Sequence, residues 1–582
     1  MKINEAVKIT GLTKKAIRLY EDRGLITVDR SENGYRDYSE KNIKILEQIK
    51  LLRTAGVSIT DIRLLFSGML SLDDIIEKRK KEIDAESGLN SEMYAFCESL
   101  TQRIANGEVK PDMLFMETED SLEYNQGALT IGIDIGTTTI SAAVIDLENK
   151  KQVEVLSIPH NSYVENSVFS EQSVSVIMDK AERVLELIYK SYTGIASIGV
   201  TGQMHGILYL NRDGEAVSSL INWQDKRGDI PIKDSMTACQ VIRQLTGENI
   251  ATGYGISTHY YNMLNGLVPQ DAVGFCSIMD YLVMRLCHIK QPITHTSVAA
   301  SFGLFDVKKE CFMLDKLALL GIDEDFLPKV TASNETVGTW NGIPVCVAIG
   351  DNQASFLGSV KNNRENVLVN IGTGSQISAV GEVEDPVDGI EQRPFINGEM
   401  LLCGSALCGG SAYAMIEGFF RSYAEFAGFG DNSQYGVMNA LAEKAYERKE
   451  NTLSVDTSFC GMRTDPMRRG SIKNIDLYNF SPSALVLGVI NGMCDELYKL
   501  YMEGHPEKSH IVASGGAIRK NHILCRVLED KFGMSVSVNS VKEEAATGAA
   551  LFSAYSIGMI EYKDGFGDYI EYAEKENETW KI

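Results

Sequence analysis

The chain has 582 residues, of which 44% are hydrophobic and 23% charged, enough apolar material for several cores. That composition excludes a mainly disordered chain. The net charge of −23 argues against nucleic-acid binding by the chain as a whole, but the charge is uneven. Residues 1–66 hold 13 Lys and Arg against 9 Asp and Glu, a balance of +4, and the rest hold 43 against 70, a balance of −27. A small basic head on a large acidic body implies two tasks. No uncharged apolar run approaches the ~20 residues that cross a bilayer. The opening MKINEAVKIT has no secretory pattern, and the 11 cysteines form no CxxC pair or His/Cys metal spacing. The expectation is a cytoplasmic protein with reduced thiols and no membrane contact.

In chain order, Asn4 to Val7 followed by Thr10-Gly11-Leu12-Thr13 predicts a helix, a turn and a second helix capped by Thr13. The second helix carries Lys14, Lys15 and Arg18, then Tyr20, and suits a recognition helix whose N-terminal half enters the major groove. Asn33-Gly34, inside Asp29 to Tyr38, is a strong hairpin signal that projects Tyr35, Arg36 and Tyr38 as a wing. Within residues 67–106, Leu89, Met93, Phe96 and Leu100 recur at intervals of 4, 3 and 4. That stripe, interrupted at Arg79 and Gly88, predicts a helix or helical hairpin with a short coiled-coil seam. Residues 107–128 lack periodicity and read as a linker. From Leu129 to about Ile560, β-branched runs alternate with longer helical patterns, which indicates α/β architecture. Residues 561–582 form an acidic tail.

The stretches AIRLYEDRGLI, NGYRDYSE and LLRTAGVSITDI resemble the winged helix-turn-helix head of the MerR family of transcription regulators. The resemblance implies DNA-binding positions at Thr13, Lys14, Arg18, Tyr20, Tyr35, Arg36 and Tyr38, and dimerisation through the helix in 67–106. Val28 departs from the pattern, since many members carry a proline there. The expected partner is double-stranded operator DNA bound by a homodimer.

The body opens on Ile131-Gly132-Ile133-Asp134-Ile135-Gly136-Thr137-Thr138-Thr139, a strand, a carboxylate and a Gly-Thr turn. Backbone N–H groups and hydroxyls in such a turn can cradle phosphates, and the carboxylate can hold Mg²⁺ through waters. Val369-Asn370-Ile371-Gly372-Thr373-Gly374-Ser375 echoes it some 240 residues later, which predicts two duplicated domains facing a cleft. Ala513-Ser514-Gly515-Gly516-Ala517, with Asn521 beyond, can admit a nucleotide against bare backbone. The small residues of Glu543 to Ala550 suit packing near an adenine. Gly350-Asp351-Asn352 follows an apolar strand and places Asp351 to take a proton from a hydroxyl, as phosphoryl transfer to an alcohol requires. Thr201-Gly202-Gln203-Met204-His205-Gly206 and Asn222-Trp223-Gln224-Asp225 offer a polyol several hydrogen-bonding groups (Gln203, His205, Asp225) and a flat wall (Trp223).

In this order the motifs resemble the FGGY family of carbohydrate kinases over about 129–560. The stretches GIDIGTTTISAAVID, TGQMHGILYL, WQDKRG, RPF and LCGGSAYAMIE are most similar to its sedoheptulokinase branch, and GQMHG is shared with xylulokinase-like members. The resemblance implies an actin/hexokinase-like pair of ribonuclease-H-like domains, at 129–365 for sugar and Mg²⁺ and 366–560 for nucleotide. It implies Asp351 as catalytic base and Asp134 as the Mg²⁺ carboxylate. Thr137, Thr138, Gly372, Thr373, Gly374, Gly515, Gly516 and Asn521 would bind ATP. Gln203, Met204, His205, Trp223, Asp225 and Asn352 would bind a ketose. The expected whole is a multidomain regulator-enzyme, and two alternatives stand beside it. One is a sugar sensor with a non-catalytic kinase fold, the other a metabolic kinase whose head only dimerises.

Overall fold

The computed structural model describes residues 1–30, 35–85, 97, 128–165, 167–233, 235–384, 387–450, 453–462, 465, 467–504, 507–576 and 579–581. The chain divides into two compact units, Met1–Gly127 with Glu182–Ile195, and Ala128–Ala181 with Ala196–Ile582.

The head of the first unit follows its turn chemistry. Helix Ile3–Thr10 stops at Gly11, whose φ of 69° provides the left-handed exit. Thr13 caps helix Lys14–Asp22, accepting the Ala16 N–H at 3.1 Å, as expected. Strands Asp29–Arg30 and Arg36–Asp37 pair antiparallel as the wing, whose Asn33-Gly34 turn lies outside the described residues. Helices Glu40–Thr54 and Ile59–Phe66 complete the head, capped by Ser39 and Ser58. Helix Leu72–Ala85 covers the start of the predicted 67–106 segment. Arg79 lies over Gly56 there, reaching the Ala55 carbonyl and Glu82. Leu89, Met93, Phe96 and Leu100, and all of the predicted linker except Ala128, lie outside the described residues.

The second unit is built on two sheets with a common plan. The seven-stranded sheet runs Thr336–Trp340, Ile343–Cys346, Ile195–Gly202, Leu129–Ile135, Thr139–Asp146, Lys151–Pro159, with Ile349–Gly350 also paired to Ile195–Gly202. The six-stranded sheet runs Ile390–Pro394, Met400–Ala406, Ser375–Val380, Asn366–Ile371, His510–Ser514, Ser535–Val538. In each, a Gly-Thr hairpin and a third antiparallel strand are extended on the other side by parallel strands. The sequence echo predicts this duplication, and the arrangement is the ribonuclease-H-like, actin/hexokinase-like one that the family resemblance implies.

Burial explains the strand sequences. Leu129–Ile135 is central and buried on both faces, with Leu129, Ile131, Ile133 and Ile135 on one and Thr130, Gly132 and Asp134 on the other, whereas Lys151–Pro159 alternates because it is an edge. Helix Glu544–Ser556, late in the chain, packs on the first sheet. A Cβ on Gly132 would sit 1.8 Å from the Ala546 carbonyl, and one on Gly548 would sit 1.8 Å from that of Ala354. The small residues of this helix therefore serve close packing against strand Leu129–Ile135 and helix Asp351–Leu357, which corrects their expected place beside an adenine. Among the described residues no helix is long and apolar enough to cross a membrane.

Candidate functional site

Asp134 is the penultimate residue of its strand, and Asp351 opens helix Asp351–Leu357 directly after Ile349–Gly350. The parallel register Ile349↔Thr201 and Gly350↔Gly202, with the Gln203 N–H donating to the Ile135 carbonyl at 2.8 Å, brings both acids to one edge of the first sheet. Burial, then the neighbouring charges of Asp351 and Glu543, pushes the Asp134 carboxyl up to about 8. Burial pushes Asp351 up to about 6, opposed by the Arg393 guanidinium. Two carboxylates, Asp351 and Glu543, whose charges hold a proton on the buried Asp134 form with it a set that a divalent cation would relieve, so these residues fit Mg²⁺. Glu543 and Arg393 lie in the Glu543–Ala550 and RPF stretches, but sequence reasoning assigned neither of them a place in the site. Glu543 has a strained φ of 53°, which only a structure reveals. Arg393 is nearly buried and pairs with Glu391, while its Nη1 has no partner among the described residues.

The sugar-site candidates divide. His205 holds a left-handed φ of 72°, with its N–H on Ser301 Oγ at 3.1 Å and Nδ1 2.8 Å from the Ser301 carbonyl. Its ring stacks on Tyr254 at 4.4 Å. Trp223 is 44% exposed and donates Nε1–H to Thr137 Oγ1 at 2.9 Å, tying the proposed wall to the first turn. Asn352 lies beside Asp351 and accepts from Gln376 of the second hairpin, so both halves of the unit meet here. Met204 is buried against Gly350.

Two expectations are corrected. Asp225 is fully buried, and its oxygens accept from Arg227 Nε at 2.8 Å, Arg227 Nη2 at 3.2 Å and the Ser170 N–H at 3.0 Å. With Arg227 also on Glu171, it is scaffold beneath the site and not a sugar ligand. Gln203 is likewise buried, and its Nε2 donates to Gln172 Oε1 at 2.9 Å under the first turn.

The nucleotide candidates of the second sheet share its corresponding edge. Strands Asn366–Ile371 and His510–Ser514 run parallel with Asn370 opposite Ser514, so Gly372 and Gly515 leave side by side. A Cβ on Gly515, at φ 96°, would lie 2.5 Å from the Ile371 carbonyl, while one on Gly516 would meet open space. The N–H groups of Gly409 and Ser411 bind the Thr373 carbonyl at 2.9 and 3.0 Å, and that of Gly410 binds Gly372 at 2.8 Å, which fixes the turn through Gly374. Asn521 caps helix His522–Phe532 with its oxygen. Thr137 and Thr138 stand at the first turn, half-buried and exposed.

In the head, Lys14, Lys15 and Arg18 are exposed on one helix, and Tyr35 is 72% exposed. Tyr20 and Tyr38 are buried core residues, which corrects their expected contact with DNA. Aromatic size and apolar area drew them into a head too small to spare either. Arg36 is bound through Nε to both oxygens of Glu21, at 2.8 and 2.7 Å, and so ties the wing to the second helix.

Comparison with known proteins agrees with this geometry. Residues 129–358 match the N-terminal domain, and residues 367–557 the C-terminal domain, of the FGGY family of carbohydrate kinases. Residues 1–69 match the MerR HTH family regulatory protein. The chain belongs to the FGGY family, whose members are ATP-dependent phosphotransferases, and carries a MerR-type helix-turn-helix head. It is 26% identical to mouse sedoheptulokinase over 475 residues, covering 73% of this chain and 96% of that one. It is 24% identical to the xylulose kinase of Staphylococcus xylosus, covering 73% and 90%. The fold is also that of the ligand-bound xylulose kinase from Lactobacillus acidophilus, with a TM-score of 0.66 at 20% identity over 78% of this chain and 93% of the other.

Proposed function

We propose that the protein phosphorylates a seven- or five-carbon ketose with ATP, and that its head binds operator DNA as part of a homodimer. The convergence of Asp134 and Asp351 at one sheet edge carries the catalytic reading. Asp351, poised near neutrality, accepts the proton of a sugar hydroxyl. That oxygen forms the new bond to the γ-phosphorus while the bond to the β-phosphate oxygen breaks and ADP leaves. Asp134, with Glu543 nearby, would hold Mg²⁺, which supplies charge neutralisation on the phosphates when bound. The turns at Thr137-Thr138 and Gly372-Thr373-Gly374, with Gly515 and Gly516, offer donors to phosphate oxygens. His205 and Trp223 face the sugar, Met204 backs it, and Asn352 orients the base.

An ADP-release screen against ketoses tests the enzyme half, with sugar-dependent release from sedoheptulose or xylulose as the expected result. Sugar binding with no release for any ketose would favour the sensor reading. For the head, the exposed Lys14, Lys15 and Arg18 support phosphate contacts whose affinity falls as salt rises. Arg18→Ala should weaken a gel shift on upstream DNA and leave kinase activity intact. Equal shifts on upstream and random duplex would refute the regulator half.

A further inference from the structure

The first Gly-Thr turn is gripped from beneath by side chains that the catalytic reading does not use. Gln172 is fully buried, and its Nε2 donates to the Thr137 carbonyl at 2.7 Å. Its Oε1 accepts from Gln203 Nε2 at 2.9 Å, and that nitrogen also stands 3.4 Å from the Gly136 carbonyl. His160, 1% exposed, donates its backbone N–H to the Thr138 carbonyl at 3.0 Å and sets ring Nε2 3.2 Å from the Gly136 carbonyl. With Gln203 N–H on Ile135, each carbonyl from Ile135 to Thr138 is bound. Among the described residues the N–H groups of Thr137 and Thr138 have no backbone acceptor.

We propose that Gln172, His160 and Gln203 are positioning residues whose side chains turn the Gly136 and Thr137 carbonyls inward, beside the backbone bonds at Ile135 and Thr138, and thereby present the N–H and hydroxyl groups of Thr137 and Thr138 to nucleotide phosphate. The proposal rests on reading that turn as a phosphate loop. All three clamps are neutral donors. Burial holds the His160 imidazole below its ordinary range, so its ring meets the Gly136 carbonyl without a cation that would draw the phosphates out of register. A carboxylate in place of the Gln172 amide would set an acceptor against the Thr137 carbonyl and a negative charge under the phosphates.

The test uses the full chain carrying Gln172→Glu, Gln172→Met or the milder Gln203→Met. The readings are amide hydrogen exchange of the 129–146 hairpin without ligands, binding of a non-hydrolysable MgATP analogue, sugar binding, and turnover. Outer-shell changes of this kind cost about 10–100-fold in affinity or activity. The expected result is faster exchange at the turn, about tenfold or more weaker nucleotide binding and lower turnover, with sugar affinity within about twofold of the parent. Gln172→Glu should be the most severe. Unchanged exchange with parental nucleotide affinity in any folded variant overturns the proposal. Faster exchange with parental nucleotide affinity leaves the clamp standing but refutes the phosphate role of the turn, and the proposal falls with it. Loss of sugar-dependent turnover in the unmodified chain would instead sink the kinase reading.

Discussion

The two Gly-Thr hairpins share a topology and differ in what they carry. Asp134 of the first stands where the second has Asn370, which donates to Ser514 Oγ at 2.8 Å. The first turn is held by buried side chains at Gly136 and Thr137 as well as by backbone N–H groups at Ile135 and Thr138, the second by the backbone N–H groups of Gly409, Gly410 and Ser411. Asp134 and Asp351 stand at the end of the first sheet, and Glu543 precedes the helix packed on it, whereas the second sheet brings the Arg393 cation and a hairpin with no acid of its own. One duplicated scaffold thus serves two tasks through a few residue changes, because the strand edges fix where groups stand while the side chains decide their charge.

Removing the base should break this division most severely. Asp351→Asn keeps the shape and removes the basic site, so turnover should fall at least ~100-fold with sugar binding little changed. Steady-state kinetics and calorimetry check this. Near-normal turnover would shift the base to Asp134, since Asp225 is sealed against Arg227.

Making the hairpins alike comes next. Asp134→Asn should lower kcat/KM for MgATP by about 10–100-fold. The reverse change, Asn370→Asp, brings a carboxylate to the cradle and should weaken nucleotide binding by a smaller factor, measured by calorimetry. Parental affinity in Asn370→Asp would place the nucleotide away from the second hairpin.

The pH profile sharpens the comparison from the charged side. Asp351 acts deprotonated and burial raises it to about 6, so kcat/KM should hold above that pH and fall below it. At pH 5 the loss should reach about tenfold. A limb at the ordinary carboxylate range would mean that the site is wetter than its burial implies.

The smallest effects concern packing. Gly132→Ala would drive a methyl into the Ala546 carbonyl and should destabilise by about 1–3 kcal/mol, read as a lower Tm. Gly516→Ala meets open space and should stay within about 0.5 kcal/mol. Equal Tm shifts would show that helix Glu544–Ser556 does not press on the first sheet as described.

Local chemistry was readable along the chain. Thr13 as a cap, the wing hairpin, the alternation of α and β, and the repeated Gly-Thr hairpin all follow from neighbours within a few residues, where turn geometry and periodicity act. Motif order alone was enough to point to both families. What a polar or aromatic side chain does was decided only by the tertiary structure. Asp225, Tyr20 and Tyr38 carry the residue types of a binding site, yet burial and partners from distant segments turn them into scaffold. Gln172 and His160 stand in no strong local pattern, Glu543 and Arg393 stand in stretches that gave them no role of their own, and all four gain their roles from strands and helices that arrive from elsewhere in the chain. Hydrogen bonding and desolvation act over a few ångströms in space and not along the sequence, so the site's electrostatics exist only once the two sheets are folded.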